Sequence, residues 1–336
     1  MSLVATHTEA RPNETHGRRS RVVTLTPAPS IDRVYRVDEL KADRVNRASS
    51  VEAHIAGNGV NLARDLRAAG NTVVAVAPLN FEDALEYVED AAMFRVVPVH
   101  QATRVNTIVI AGDGQTTNVN QAANPLTSRD WRSLYAAVRD ASDQASPDWI
   151  VLGGTVPDTG GAPLDPNALL EIARDTNARI CLDSPGLVLA KWMQQGAIPS
   201  LVAPNVHELE EAVGSSVATV GEACEAGQRL LDRGVETVLV SLGAAGALLI
   251  TGNEQLWAST RPARVVNTTG AGDAALAGLL STWQGEGGAS RLGLALTSAV
   301  RWGRAACETS APTIDPNTVS EVDVDLRTPD RDLAIA

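Results

Sequence analysis

Short apolar segments alternate with amphipathic stretches along most of the chain, and this alternation restricts the fold more than any other feature. The apolar segments are rich in β-branched and aliphatic residues, as in strands buried on both faces; they are residues 21–25, 72–76, 149–152, 179–182 and 238–240. Between them, apolar residues recur at helical spacing, as in Trp131, Leu134 and Val138. Strands that alternate with helices predict an α/β fold with a doubly wound, mostly parallel sheet flanked by helices.

Two regions break this rhythm, near residues 34–53 and 94–120. Both carry alternating polar and apolar residues without a convincing helix, for example before the turn signal at residues 112–114. We expect them to form a small β-sheet lid inserted into one α/β domain that spans residues 21–316. Residues 1–20 are polar and are expected to be a flexible tail, and residues 317–336 are acidic and are expected to be a peripheral C-terminal tail.

Composition limits the classes of partner. The chain carries 28 Lys and Arg against 40 Asp and Glu, and a net charge of -12 opposes binding to nucleic acid and to anionic membranes. No apolar segment has the length of a signal peptide or a spanning helix. The cysteines Cys181, Cys224 and Cys307 form no paired metal motif and no disulfide framework. These features predict a cytoplasmic protein that acts on a small molecule.

The segment from Asn267 to Asp273 carries the strongest chemical signal. Its Gly270 and Gly272 lie between a strand-like segment and a helix-like one, where backbone N–H groups converge and favour phosphate or developing negative charge. Asp273 would stand beside this anion site and accept a proton from an attacking hydroxyl. The same residues fit equally well a plain tight turn in which Asp273 caps a helix.

Residues 269–273 resemble the Gly-Ala-Gly-Asp signature of the PfkB, or ribokinase-like, family of carbohydrate kinases. Other segments fit the family in its order from about residue 22 to residue 312. The resemblance implies a ribokinase-like fold and an ATP-dependent phosphotransferase with an alcohol group as acceptor. It also implies that Asp273 is the general base and that Gly270, Ala271 and Gly272 stabilise the transferred phosphoryl group.

Two further segments resemble the nucleotide side of the family. Asn205 and Glu208 match an Asn-x-x-Glu motif that binds Mg²⁺ through water, which suits a hard cation that keeps several waters. Ser241, Gly243 and Gly246 lie in a segment similar to the strand and glycine-rich turn that approach ATP. The resemblance therefore implies ATP and Mg²⁺ as cofactors. Taken alone, these residues fit a turn residue, a solvated helix residue and a β-hairpin.

The front of the chain resembles the phosphosugar branch of the family, which contains 1-phosphofructokinase and tagatose-6-phosphate kinase. Residues 24–32 match its opening segment, and residues 56–61 match its sugar-side glycine-rich motif. The resemblance implies contacts to the sugar and cations for a phosphate that the acceptor already carries. The implied acceptor-binding residues are Asp32, Arg44, Gly57, Asn61, Arg104 and Thr155.

This half of the chain also departs from the branch. Asn58 replaces the usual Lys of the sugar motif, and Thr155 is the only hydroxyl in a segment that usually has two serines. Three hypotheses therefore remain: a kinase for a sugar phosphate, a kinase for an unphosphorylated sugar or nucleoside-like acceptor, and a catalytically weak sugar-phosphate sensor. A dinucleotide-dependent oxidoreductase is disfavoured, because no Gly-x-Gly-x-x-Gly follows the first strand. The lid is a candidate surface for a homodimer.

Overall fold

Ten strands form one large sheet at the centre of the computed structural model, which describes residues 19–157, 160–261, 264–285, 288–309, 311, 313–319 and 322–335. In chain order these strands are β1 (Arg21–Leu25), β4 (Thr72–Asn80), β5 (Phe94–Val99), β8 (Trp149–Gly153), β9 (Arg179–Asp183), β10 (Leu201–Val202), β11 (Thr237–Ser241), β12 (Ala247–Thr251), β13 (Gln255–Thr260) and β14 (Val324–Arg327). Their spatial order is β14-β13-β12-β11-β10-β9-β8-β1-β4-β5. The strands from β5 to β11 are parallel, and β12, β13 and β14 add antiparallel pairs.

Helices cover both faces of this sheet. They are α1 (Asn58–Ala68), α2 (Phe81–Tyr87), α3 (Ser128–Ala145), α4 (Pro166–Thr176), α5 (Gly186–Gln194), α6 (Val206–Val213), α7 (Val220–Leu231), α8 (Ala271–Thr282), α9 (Ala289–Cys307) and α10 (Pro316–Val319). Helices α3 to α7 bury their apolar stripes in one core, which contains Trp131, Leu134 and Val138. Helices α1, α8 and α9 form a second core on the opposite face. The predicted α/β fold with a mostly parallel sheet is confirmed.

A separate sheet of four strands lies apart from the large one. It contains β2 (Ser30–Val37), β3 (Ser50–Ala56), β6 (Arg104–Ala111) and β7 (Thr116–Asn120), in the order β3-β2-β6-β7. Its strand β2 begins earlier than the sequence indicated, and this extension brings Asp32 into the lid. Residues 94–99, which the alternating pattern suggested for the lid, form β5 of the large sheet instead. Because β5 pairs with β4 along six residues, it takes the edge position of that sheet.

The C-terminal segment does more than its acidic composition suggested. Strand β14 pairs with β13, and the Arg327 guanidinium lies 4.1 Å from the centre of the Trp257 ring. The amides of Val220 and Gly221 donate hydrogen bonds to the carbonyls of Leu333 and Arg331. Backbone pairing needs no apolar side chains, and an exposed strand with charged residues is well suited to a sheet edge. The acidic segment is thus attached along two elements of the domain.

Within the described residues, no helix combines the length and the apolar character needed to cross a membrane.

Candidate active site

A cavity between the lid and the start of α8 brings together three of the residues singled out in the sequence. Asp32 of β2, Asn61 of α1 and Gly270 at the start of α8 all line it. Asp65 of α1 and His54 of β3 line the same cavity, although neither stood out in the sequence. These five residues come from four separate elements, and the start of α1 packs against Gly153 at the carboxyl end of the parallel strand β8. This is the usual position of a ligand site in a doubly wound fold.

Asp273 is a buried carboxylate in the first turn of α8. It is 7% exposed, and Nδ2 of Asn61 donates a hydrogen bond of 2.8 Å to its Oδ2. Burial raises the pKa of Asp273 to about 7, and the carboxylates of Asp65, Glu208 and Asp32 add to the rise, whereas the hydrogen bond from Asn61 opposes it. No hydrogen bond from a described residue reaches Oδ1. Such a group exchanges protons readily near neutral pH.

The turn before Asp273 is open on the side where a ligand would approach. Gly270 is the N-cap of α8 with φ +80°, a left-handed conformation that side chains other than glycine rarely adopt. A methyl group added to Gly272 would meet no other atom within 4 Å. The Ala271 amide donates a hydrogen bond of 3.3 Å to the Thr268 carbonyl, and the amides of the first helical turn lie at the positive end of the helix dipole. The turn can therefore receive an anionic group.

Asp32 is held in place by two polar neighbours. Its Oδ1 accepts hydrogen bonds from Oγ of Ser30 at 2.7 Å and from Nδ2 of Asn106 at 3.0 Å. Asn106 comes from the neighbouring strand β6, directly opposite Asp32 in the register. No hydrogen bond from the described residues reaches Oδ2, so this oxygen is available to a ligand hydroxyl. A carboxylate oriented in this way can select the direction from which a hydroxyl binds.

Gly57 permits a close approach between the start of α1 and the loop after β1. Its φ is +126°, and a methyl group at this position would lie 2.7 Å from Cγ2 of Thr26. A side chain would therefore push α1 away from that loop. Because Asn61 lies one turn further along α1, Gly57 also fixes the position from which Asn61 contacts Asp273.

The predicted phosphate-binding residues do not meet at the cavity. The Arg104 guanidinium donates hydrogen bonds to the carbonyls of Ala28 at 2.9 Å, Pro29 at 3.4 Å and Gln121 at 3.1 Å, so its donors are engaged by the backbone. Arg44 lies in the exposed loop between β2 and β3. Thr155 is exposed in the loop after β8. None of the three lines the cavity that contains Asp32 and Asn61.

Asn205 and Glu208 form the capping box of α6. Oδ1 of Asn205 accepts a hydrogen bond of 2.9 Å from the Glu208 amide, and Oε2 of Glu208 accepts one of 2.9 Å from the Asn205 amide. The alternative without a metal, in which Asn205 is a turn residue and Glu208 a helix residue, therefore describes their local role. Burial raises the pKa of Glu208, and its carboxylate interacts electrostatically with Asp273 and with Asp183. The two residues thus cap α6 and also lie near the buried carboxylates of Asp183 and Asp273.

Asp183, which the sequence analysis did not single out, is the last residue of β9. It is buried, and Nδ2 of Asn58 donates a hydrogen bond of 3.4 Å to its Oδ2. Burial, followed by the negative charges of Asp273 and Glu208, raises the pKa of Asp183 well above its usual value. Its position at the carboxyl end of a predicted parallel strand was the signal that could have identified it. Asn58, where the family usually has Lys, brings no charge to balance this carboxylate.

The donor set around Asp183 fits a hydrated Mg²⁺ better than a directly caged ion. Asp183, Glu208 and Asn205 offer oxygen atoms, which are the ligands that Mg²⁺ prefers. Among the described residues, no group of three or more His, Cys, Asp or Glu side chains converges closely enough to hold a metal by itself. Oxygen donors spread around a polar region suit an ion that retains its waters.

The segment that resembles the nucleotide side lies beside Asn205. The amide of Ser241 donates a hydrogen bond of 3.1 Å to the carbonyl of Pro204, and Ser241 bridges to Asn205. Strands β11 and β12 form a hairpin joined by a short 3₁₀ turn at Gly243–Ala245, with Gly246 at its end. A methyl group added to Gly243 would meet no atom within 4 Å. The β-hairpin that the sequence allowed as an alternative to a nucleotide site is present. It adjoins Asn205, one of the residues that the family resemblance assigns to Mg²⁺.

Comparison with known proteins places this site in context. The family model described as "pfkB family carbohydrate kinase" matches residues 22–315. A 1-phosphofructokinase from Bacillus subtilis is 30% identical over 77% of this chain and 84% of its own length. A 1-phosphofructokinase from Rhodobacter capsulatus is 32% identical over 84% of this chain and 87% of its own length. The crystal structure of phosphofructokinase-2 from Escherichia coli covers 90% of this chain and 98% of its own with a TM-score of 0.78, at 22% identity.

Proposed function

The chain belongs to the pfkB family of carbohydrate kinases, and we propose that it transfers the γ-phosphoryl group of ATP to a hydroxyl of a sugar phosphate, with Asp273 as general base. The observation that carries this proposal is the position of Asp273 at the N-terminus of α8, beside Gly270 and in contact with Asn61. The curated relatives at 30% and 32% identity are 1-phosphofructokinases, which supports fructose 1-phosphate as the first acceptor to test.

The chemistry follows from the surroundings of Asp273. A carboxylate whose pKa is raised to about 7 can remove a proton from the acceptor hydroxyl near neutral pH, and the free Oδ1 is the atom available for it. Asn61 holds the other oxygen and thereby orients the group. The turn of Gly270, Ala271 and Gly272, at the positive end of the α8 dipole, would stabilise the charge that develops on the transferred phosphoryl group. Asp32 holds an acceptor hydroxyl from the lid side.

Asn205, Glu208 and Asp183 are the residues that would hold hydrated Mg²⁺ beside the ATP phosphates, and Ser241, Gly243 and Gly246 would border the nucleotide. When bound, Mg²⁺ offsets the negative charge of the phosphates. Burial is the main cause of the raised pKa values of Asp183, Glu208 and Asp273, and the charge of Glu208 adds to the rise at both Asp183 and Asp273. A cation near Asp183 and Glu208 would offset that charge.

A second candidate acceptor, an unphosphorylated sugar or nucleoside-like compound, is favoured by one observation. Neither Arg44 nor Arg104 lines the cavity that contains Asp32, and the donors of Arg104 are engaged by backbone carbonyls. A coupled assay of ADP release over fructose 1-phosphate, tagatose 6-phosphate, fructose and a nucleoside separates the two. The sugar-phosphate proposal expects kcat/KM at least tenfold higher for a phosphorylated ketose, whereas a preference for a neutral compound would support the second candidate.

The role of Asp273 is tested by Asp273→Asn, which keeps the shape of the side chain and removes its basicity. We expect kcat to fall by about 100-fold or more, since general-base catalysis contributes on that order. ATP affinity, measured by calorimetry, should change little. Asp140→Asn, an exposed substitution on α3, is the matched control and should keep wild-type turnover. Wild-type kcat in the Asp273→Asn variant would contradict the assignment.

A further inference from the structure

His54 shares one face of the lid with Asp32. Strands β2 and β3 are antiparallel, and their register places Asp32 directly opposite His54. Residues opposed in this way project to the same side of a sheet, with Cβ atoms about 5 Å apart. Both residues line the cavity to which Asn61 and Gly270 also contribute. The lid therefore presents an imidazole and a carboxylate side by side to whatever the cavity binds.

The imidazole of His54 has no partner of its own in the described part of the protein. Its side chain is only partly buried, and neither ring nitrogen forms a hydrogen bond with a described residue. Neither nitrogen is among the buried polar atoms that lack a partner, so both are accessible to a ligand or to solvent. On the neighbouring strand, Nδ2 of Asn106 is committed to Ser30 and Asp32, although its Oδ1 accepts no hydrogen bond from a described residue. His54 thus brings unused hydrogen-bonding capacity to the cavity wall.

The charges around His54 decide what kind of ligand atom it suits. Burial and then the positive charge of Arg64 lower the pKa of His54, whereas Asp32, Glu89 and Glu52 act in the opposite direction without reversing the shift. The ring is therefore neutral at pH 7, with one N–H donor and one nitrogen acceptor. A neutral imidazole matches a hydroxyl, which both donates and accepts. A neutral imidazole carries no positive charge that would attract a phosphate.

We propose that His54 is a specificity-determining contact that hydrogen-bonds a hydroxyl of the acceptor next to the one held by Asp32. This inference rests on the proposed kinase function of the same cavity, and it names the part of the acceptor that the lid reads. A compound with adjacent hydroxyl groups, such as a ketose or its phosphate, would engage both side chains at once. The pair would then select acceptors by the arrangement of two neighbouring hydroxyls.

The test compares His54→Ala and His54→Gln with the wild-type enzyme, with fructose 1-phosphate as the acceptor. Loss of one neutral hydrogen bond corresponds to an increase of about fivefold in the KM for the acceptor. The KM for ATP should stay unchanged, and His54→Gln should recover part of the loss because its amide both donates and accepts. The control is His100→Gln, an exposed position outside the cavity, which should leave both KM values unchanged. The unchanged KM for ATP also reports that each variant is folded.

A series of monodeoxy acceptors identifies the hydroxyl. For wild-type enzyme, the acceptor that lacks the hydroxyl contacted by His54 should have a higher KM than the full acceptor. In His54→Ala, the two acceptors should have the same KM. The other deoxy compounds should show the same loss in both enzymes. Such a cycle separates a direct contact from a general effect on the lid.

Several outcomes would overturn the inference. An unchanged acceptor KM in both His54 variants would show that His54 does not bind the acceptor. The same conclusion would follow if every deoxy acceptor raised the KM equally in wild-type enzyme and variant. A loss that grows as the pH falls from 8.5 to 6 would instead indicate a cationic contact to phosphate. Each of these requires a wild-type enzyme that turns over, so failure of the kinase proposal itself would be visible separately as the absence of activity on all acceptors.

Discussion

Asp65 is a buried carboxylate that the proposed chemistry does not use. It lies one helical turn after Asn61 on α1, and it is 4% exposed. Its Oδ1 accepts a hydrogen bond of 3.0 Å from the Ile314 amide, which ties the segment after α9 to α1. Burial raises the pKa of Asp65 to about 6, although the bond from Ile314 and the charge of Arg64 act against the rise. Its negative charge also contributes to the raised pKa of Asp273.

Stability should therefore depend on pH through Asp65. The folded state binds its proton more tightly than the unfolded state, so the cost of burying the charged form is absent below about pH 4 and complete above pH 6. Asp65→Asn removes this cost and keeps an oxygen for Ile314. The free energy of unfolding of the variant relative to wild type should rise by about 1 kcal/mol from pH 5 to pH 8. Urea denaturation at both pH values measures it.

The comparison between two pH values cancels any constant effect of the amide on packing. Asp140→Asn on the exposed face of α3 serves as the control and should show no such rise. The same Asp65→Asn variant should keep its activity to lower pH, because loss of a neighbouring negative charge lowers the pKa of Asp273. A difference in stability that is constant from pH 5 to pH 8 would show that the pKa of Asp65 is not raised in the folded protein.

At the scale of single elements, α6 and α7 both begin with a capping box that contains a glutamate. Asn205 and Glu208 form a capping box at α6, and Thr219 and Glu222 form one at α7. Both boxes satisfy amides that would otherwise lack acceptors at the helix start. They differ in surroundings, since the Glu208 carboxylate interacts with Asp183 and Asp273. The local sequence therefore explains the cap, and only the position of α6 gives it a proposed role with Mg²⁺.

This duplication supplies a matched pair of variants. Asn205→Ala and Thr219→Ala should each lower the free energy of unfolding by about 1 kcal/mol, the usual cost of a lost N-cap. Only Asn205→Ala should raise the Mg²⁺ concentration needed for half-maximal rate, because only α6 lies beside the buried carboxylates. Titration of Mg²⁺ at saturating acceptor measures this requirement. Equal Mg²⁺ requirements in the two variants would leave Asn205 with its capping role alone.

At the scale of the whole molecule, Arg104 joins the lid to the α/β domain. It lies at the start of β6 in the lid, and its guanidinium binds the carbonyls of Ala28 and Pro29 in the connection between β1 and β2. A third carbonyl, that of Gln121, lies just after β7. One side chain therefore binds three carbonyls in two backbone segments, the β1–β2 connection and the residue after β7. Arg is suited to this task because its planar group presents several donors in fixed directions.

Arg104→Ala and Arg44→Ala should therefore behave differently. We expect Arg104→Ala to lower the free energy of unfolding by about 2 kcal/mol, as for lost hydrogen bonds to a charged group that is partly exposed. Arg44→Ala, in an exposed loop, should change it by less than about 0.5 kcal/mol. Thermal and urea denaturation measure both. Comparable stability losses in the two variants would mean that the carbonyl contacts of Arg104 contribute little.

The same two variants test whether either arginine also binds the phosphate of the acceptor. If one of them does, its alanine variant should have a higher KM for the phosphorylated acceptor and an unchanged KM for the unphosphorylated one. The ratio of the two KM values should therefore rise, whatever the stability of the variant. An unchanged ratio in both variants would show that neither arginine binds the phosphate of the acceptor. The acceptor screen alone would then test whether the enzyme prefers a sugar phosphate.

The sequence by itself determined the features that depend on neighbours along the chain. Its apolar periodicity identified the strands at β1, β4, β8, β9 and β11. The helical spacing of Trp131, Leu134 and Val138 identified α3, and the glycines before Asp273 marked the start of α8. These signals are local because hydrogen bonds of a helix and turn conformations involve residues a few positions apart.

Only the tertiary structure decided which side chains meet. His54 lies opposite Asp32 because of the register between two strands, and a shift of one residue would turn it to the other face. Asp183 approaches Asp273 because parallel strands end at the same edge of the sheet. Arg104 looked like a cation for phosphate in the sequence, but carbonyls of three distant residues surround its guanidinium. Burial, charge coupling and competition for hydrogen bonds arise between segments far apart in the chain, so local patterns could name candidate residues but could not assign their partners.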